Sequence, residues 1–260
     1  MPPKLLCNSG VLFSLTFERR NVMKQTKNKV QNRNLVIRRL VTAALFCALA
    51  YVATFTTAWI KVGFLTFDIK DAVIAIAGLT LGPIYTLVIS LAVSLIEIVV
   101  IPETGFWGFL MNFLSTAAFS FFCALIYKYK KNLTGAIIGI VTSVFSMTAM
   151  MVVLNLLVTP IYTGMPVETI AAMIPTLFLP FNFTKATLNG AIVMILYKPV
   201  STALKASKML PSDSLGKDTG RRGPSLVTSL VVSAVSIVIS VACIVVFFAV
   251  LGGQFVPFWK

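Results

Sequence analysis

The sequence contains no histidine. That absence removes HExxH metalloproteases, histidine-based triads and most catalytic zinc sites together, because each needs imidazole as ligand or proton carrier. Acids are scarce too, 8 Asp and Glu against 22 Lys and Arg. General acid–base catalysis draws on paired ionisable groups, so an enzyme is the weakest functional class. A GxxxxGK[ST] phosphate loop is also missing, so the sequence carries no P-loop ATPase motif. The four cysteines, Cys7, Cys47, Cys123 and Cys243, are scattered, three of them within apolar runs, and no pair has metal-ligand spacing. They read as inert packing residues, and no metal site is expected.

What is present is apolar surface. Hydrophobic residues make up 58% of the chain and charged residues 12%, about half the charged fraction of ordinary soluble domains. Leu40 to Ile60, Ala72 to Ile96, Thr104 to Tyr127, Asn132 to Val167 and Gly223 to Trp259 carry no charge. About 18 apolar residues suffice to span lipid. Backbone groups in lipid must be satisfied within the segment or in a closed barrel. The runs are continuous Leu, Ile, Val, Ala and Phe, without the ten-residue alternation of a barrel. The fold class is therefore an all-α integral membrane protein.

The net charge of +14 does not point to nucleic acid. Much of it precedes position 40, and most of the rest flanks apolar runs, the pattern of the positive-inside bias with some attraction to anionic membrane lipids. Residues 1–22 make a poor signal peptide, since Val11 to Phe17 is short, interrupted by Ser14 and Thr16, and runs into Glu18. Met23 opens a more typical start. Residues 1–35 are expected to form a mobile, basic, cytoplasmic tail, with the N-terminus inside.

The first span is expected from Leu40 to Trp59. Asp68-Ile-Lys-Asp71 reads as a helix start, with Asp68 able to cap and Asp71 favouring the positive helix end. Ala72 to Ile101 as one straight helix would measure about 45 Å against a hydrocarbon core of about 30 Å, and Gly82-Pro83 offers a break. Pro102 to Gly105 is a turn, followed by spans at Phe106 to Tyr127, Leu133 to Val158 (stopped by Pro160) and Thr176 to Tyr197 (closed by Lys198-Pro199). A loop is expected from Thr159 to Pro175. A polar linker, 206–224, leads to a last apolar helix, 225–251. Counting Gly82-Pro83 as a turn puts nearly all loop lysines and arginines on one side. Sidedness thus favours six spans in residues 36–205 and a seventh after the linker.

The segments RRLVTAALFCALA, FDIKDAV, LTLGPIYTLVISL, MVVLN and PFNFTKATLNGAIVMILYK resemble, in order and spacing across about residues 36–205, the substrate-binding S-components of energy-coupling factor (ECF) transporters. Within that family the riboflavin-specific group is most similar. The resemblance implies six helices, a vitamin pocket near the outer face, and ATP-driven uptake with a transmembrane T-component and two cytoplasmic ATPase subunits. Riboflavin would be the transported ligand, with no resident cofactor, and the S-component would topple within the cell membrane. Rivals are an S-component for another vitamin or nutrient, and a non-transporting assembly or regulatory protein.

Lys185 is the sharpest signal. A lysine within a span costs about 2.5 kcal/mol or more and normally meets a polar cavity or partner. Asn182, Lys185 and Asn189 fall at i, i+3 and i+7 on one helical face, offering donors to a carbonyl-rich ring or a ribityl chain. The alternative is snorkelling or a pair with Glu97, the one acid deep in an apolar run. The resemblance matches Asn155, Asn182 and Lys185 to pocket residues. For Asn155 an interhelical hydrogen bond competes with that role. Phe67 and Asp68, with Lys70 where relatives often carry Ser, lie in the first outer loop, which helps cover the ligand in this family. The apolar Phe64 and Leu65 beside them could add to that cover. Ala44 and Ala48 form a small-xxx-small pair that permits close helix approach. In S-components such a motif docks the T-component, and Ala43, Cys47 and Ala50 would widen the face. The last helix, 225–251, departs from the six-helix pattern.

Overall fold

A computed structural model describes residues 9–58, 60–62, 65–100, 105–206, 226–250 and 254–255. Trp59, Phe64, the Pro102 turn, Cys7 and nearly all of the linker lie outside the described residues.

The fold is helical, as the apolar runs require. α1 covers Ser9–Thr57. It starts earlier than the expected span, because no glycine or proline interrupts the chain between Val11 and Thr57; residues 9–35, read as a tail, continue its helix. β1 (Ile60–Val62) and β2 (Leu65–Thr66) form a short antiparallel pair. α2 (Lys70–Leu81) and α3 (Pro83–Val100) are separated at Gly82, whose φ of 104° and ψ of 168° suit glycine, and Pro83 opens α3 where a missing N–H costs nothing. The break read at Gly82-Pro83 is thus where the chain turns. α4 spans Gly105–Tyr129. α5, Leu133–Thr163, is capped by Asn132, whose Oδ1 accepts from the Gly135 N–H at 2.7 Å.

Three expected helix ends are corrected. α5 continues a turn beyond Pro160, whose carbonyl accepts from Gly164 N–H, and stops at the left-handed Gly164, φ 70°. The segment 159–175, read as a loop, is thereby mostly helical. α6 (Val167–Met173) runs through a π-helical turn, Ile174–Phe178, into α7, Leu179–Ala206. The wider turn takes up the N–H missing at Pro175. α7 also passes through Pro199, losing one hydrogen bond without ending. α8 covers Leu226–Val245 and continues as a π-helical turn to Val250, and β3 is Gln254–Phe255.

Among the described residues, four helical stretches are long and apolar enough to cross a membrane: Gln31–Thr57, Gly105–Tyr129, Leu133–Thr163 and Val167–Val200. Pro83–Val99 is apolar but shorter. α2, at 12 residues, is about 18 Å long, less than a bilayer core. Almost all of it is buried among α1, α3, α4 and α7. Its small residues allow this. A Cβ on Gly78 would collide with the Thr86 side chain of α3 and approach Ala124 of α4. Ala72, Ala75 and Ala77 join the main core with Phe119, Met147, Ala186 and Val193. Several hydroxyls inside the bundle donate to carbonyls one turn back, as with Thr54 to Ala50, Ser120 to Thr116 and Ser143 to Gly139, and these need no water.

Sequence reading foresaw no strands, and two- or three-residue strands have no periodic signal. The sheet has the order β2-β1-β3, so the C-terminal strand returns to the loop that follows α1.

Candidate functional site

Two elements meet at the candidate site, the loop leading into α2 and the middle of α7. Lys185 donates from Nζ to Asp68 Oδ2 at 2.8 Å. Asn189, a helical turn on, is a hub. Its Oδ1 accepts from the Ala72 N–H at 3.0 Å, and its Nδ2 donates to the carbonyls of Asp68 at 3.1 Å and Lys185 at 3.0 Å. One amide therefore satisfies a first-turn N–H of α2, which has no intrahelical partner, and ties that helix end to α7. The N-cap residue of α2 is Ile69, without a side-chain cap bond. The Asp68 carboxylate, expected to cap, makes its ion pair with Lys185 on α7 and also takes a backbone hydrogen bond at Lys70, the first residue of α2.

A second ion pair lies alongside. Lys70 Nζ contacts both oxygens of Glu97, at 2.6 and 2.7 Å, with both side chains buried. Lys70 Nζ is also 3.9 Å from Asp68 Oδ2. Glu97 further accepts from Asn112 Nδ2 at 3.4 Å, and Asp71 Oδ1 accepts from Thr116 Oγ1 at 2.6 Å. The alternative pairing of Lys185 with Glu97 is thereby corrected. Lys70, at the first residue of α2, reaches α3, leaving Lys185 to the loop carboxylate. Burial by itself would raise the Asp68 carboxyl, but Lys185 and Lys70 outweigh it and hold the group below the ordinary carboxylate range. A buried charge needs a partner of this kind to persist in a low-dielectric interior. Asp68 Oδ1 and Asp71 Oδ2 are buried acceptors with no hydrogen-bond donor.

The other expected residues sit as follows. Asn182 is buried on α7, and its Nδ2 donates to the Phe178 carbonyl at 2.7 Å. Asn155, buried on α5, donates to the Met151 carbonyl at 2.7 Å and accepts from Thr159 at 3.0 Å. Both amides are thus bonded along their own helices, whereas Lys185, Asn189 and Asp68 are joined across elements. Phe67 belongs to an apolar cluster with Phe181, Leu188 and Cys243. On α1, Ala44 and Ala48 are exposed. Ala43 and Ala50 are buried in the bundle, so they do not widen that outward face, as expected of them. Sequence reading missed the Lys70–Glu97 and Asp71–Thr116 contacts. A signal existed for the first, a lone buried acid that must find a base, but the partner lies 27 residues away.

Chemically, the site offers an ammonium donor, amide groups and two carboxylate oxygens with spare acceptor capacity, beside an aromatic cluster. These groups bind and orient; they do not make a nucleophile with its base.

Comparisons with known proteins bear on the family and the fold. The family model described as "ECF transporter, substrate-specific component" matches residues 38–200. The chain is 28% identical over 177 residues to "Riboflavin transporter RibU" of Staphylococcus aureus (strain TCH60), covering 65% of this chain and 93% of that protein. A solved structure of the S component of a bacterial ECF transporter is similar at a TM-score of 0.54 and 28% identity, over 64% of this chain and 97% of that one.

Proposed function

This chain belongs to the family of ECF transporter substrate-specific components, and we propose that its substrate is riboflavin. It is a substrate-binding transporter subunit and not an enzyme. The observation that carries the substrate is the 28% identity to a riboflavin transporter along 93% of that protein's length. The chemistry of the site supports the reading. A ribityl chain presents hydroxyls that both donate and accept, matching the free Asp68 Oδ1 and Asp71 Oδ2 and the Lys185 ammonium. The flavin ring presents carbonyls and a flat apolar face, matching amides and aromatic side chains.

In this reading Asn155, Asn182, Lys185 and Asn189 contribute polar contacts, and Phe67 and Asp68 cover the ligand from the outer loop. Lys185 exchanges Asp68 for the ligand, while Lys70, 3.9 Å from the same carboxylate oxygen, keeps Asp68 from being stranded. Ligands that leave these groups unpaired are rejected by the cost of buried unsatisfied polar atoms.

The same reading places α1 to α5 and α7 as a six-helix core, with α8 as an added span and the basic N-terminus in the cytoplasm. The energising partners are a T-component and two ATPases. The T-component docks against the exposed Ala44 and Ala48, where small side chains let backbones approach.

The test is a flavin fluorescence titration of the purified chain in detergent, with Lys185→Ala alongside. Saturable quenching at nanomolar riboflavin, weakened by the substitution, supports substrate and site together. A folded chain without quenching overturns the riboflavin assignment and leaves the family standing.

A further inference from the structure

The residues after position 200 lie outside the family match, yet two of their elements return to the candidate site. α8 packs along α7. Ser236 and Cys243, seven residues apart, are buried, while Val231, Val235, Val238, Val241 and Val245 are exposed. One face of α8 is therefore seated and the other is free for lipid. Cys243 and Phe248 gather with Phe67, Phe181 and Leu188 in an apolar cluster that also takes in Ile60 and Ile69. Beyond α8, β3 pairs antiparallel with β1, placing Phe255 opposite Ile60 and Gln254 opposite Lys61. The sheet order makes β1 the middle strand.

These contacts reach the polar site in few steps. The Phe67 N–H donates to the Ile60 carbonyl at 2.8 Å, so the position of β1 passes directly to Phe67. The next residue, Asp68, is the partner of Lys185. A hairpin of strands this short is marginal by itself. A third strand and an apolar cluster beneath it supply what the hairpin lacks.

We propose that α8 and β3 are a brace belonging to the substrate site, holding the β1–β2 hairpin and Phe67 where Asp68 meets Lys185. The brace is a positioning element whose side chains need not touch the ligand. It rests on the reading of the α7 face as the substrate site. Substrate leaving past the first loop must then displace a three-stranded sheet rather than a bare hairpin, and release is slow. α8 packs on α7, and Ala44 and Ala48 on α1 stay exposed.

The experiment uses the full chain carrying Lys61→Cys with Gln254→Cys, oxidised and then reduced, each single substitution serving as control. Phe248→Ser is a second, uncrosslinked variant. Backbone hydrogen exchange over residues 65–72 is followed without riboflavin, and release of preloaded riboflavin is followed by stopped-flow fluorescence. The expected result is a disulfide in the double variant, slower exchange over 65–72 and release slowed at least fivefold, both reversed by reduction. Phe248→Ser should speed exchange over 65–72 and speed release, with exchange in α4 and α5 unchanged. Failure to form the disulfide overturns the brace. So does a disulfide that leaves exchange and release as they were. A chain that binds no riboflavin overturns the substrate reading instead, and the exchange measurements then decide the brace by themselves.

Discussion

Lys70 and Glu97 form a two-oxygen ion pair, with the ammonium 2.6 Å from Oε1 and 2.7 Å from Oε2, deep in the bundle. The pair bolts the first residue of α2 to the last turns of α3, around the break at Gly82. It also sets the charge environment of Asp68, because Lys70 is the second cation near that carboxylate. A buried pair of this kind is costly to break and adds little net stability as a whole. The consequences are therefore asymmetric.

Removing one partner should hurt more than removing both. Lys70→Met leaves the Glu97 carboxylate buried without its cation, and breaking such a pair costs about 3–5 kcal/mol; Glu97→Gln leaves Lys70 with Asp68 at 3.9 Å and should cost less. The double variant Lys70→Met with Glu97→Gln should recover most of that loss. Thermal unfolding of the four chains in one detergent checks it. Equal losses in single and double variants would show that the pair is not coupled.

Lys185→Ala should weaken riboflavin binding with little loss of folded protein. A hydrogen bond to a charged group is worth about 1.5–3 kcal/mol, which is about 10- to 150-fold in Kd. Asp68 keeps Lys70 at 3.9 Å, so the fold does not inherit an isolated carboxylate. The measurement is the fluorescence titration, with the melting temperature as control.

Asn189→Ala should lower stability and binding together. The amide serves Ala72 N–H, the Asp68 carbonyl and the Lys185 carbonyl, and its loss leaves the first of these buried without an acceptor, at about 1–3 kcal/mol. A variant that binds normally and melts normally would remove Asn189 from the site.

Ala44→Trp and Ala48→Trp should leave riboflavin binding by the isolated chain unchanged, since both side chains point out of the bundle. Co-purification with the T-component should be lost. Normal assembly with both substitutions present would place the docking face elsewhere.

Gly82→Ala should destabilise the chain. At φ 104° and ψ 168° a Cβ is strained, at about 1–3 kcal/mol, although no neighbour lies in its way. The effect is read as a lower unfolding midpoint with the same ligand preference.

Much of the architecture was legible in the residues themselves. Uncharged runs demanded helices, Gly82-Pro83 marked the break between α2 and α3, and Lys185 with Asn189 marked the face of α7 that meets another element. Helix ends were less legible. Pro160, Pro175 and Pro199 were read as stops or loop residues, yet each lies within helix, because one missing N–H is a smaller loss than abandoning a packed turn. α2 was ambiguous because it is too short for a span and too apolar for a loop. Its placement depends on Gly78 and the alanines fitting against α3, α4 and α7, which hydropathy does not record.

By itself the sequence determined the class of molecule, since its long uncharged apolar runs satisfy their backbone groups only as membrane helices. It also carried the family pattern. Tertiary structure alone decided which lysine meets which acid. Lys70 and Lys185 both lie near Asp68, and the pairing follows from how α2, α3 and α7 pack. It also decided that the C-terminal strand returns to β1, which follows α1, about 190 residues earlier in the chain. Such partners are chosen by packing between distant segments, where the energy depends on three-dimensional proximity and not on any local pattern.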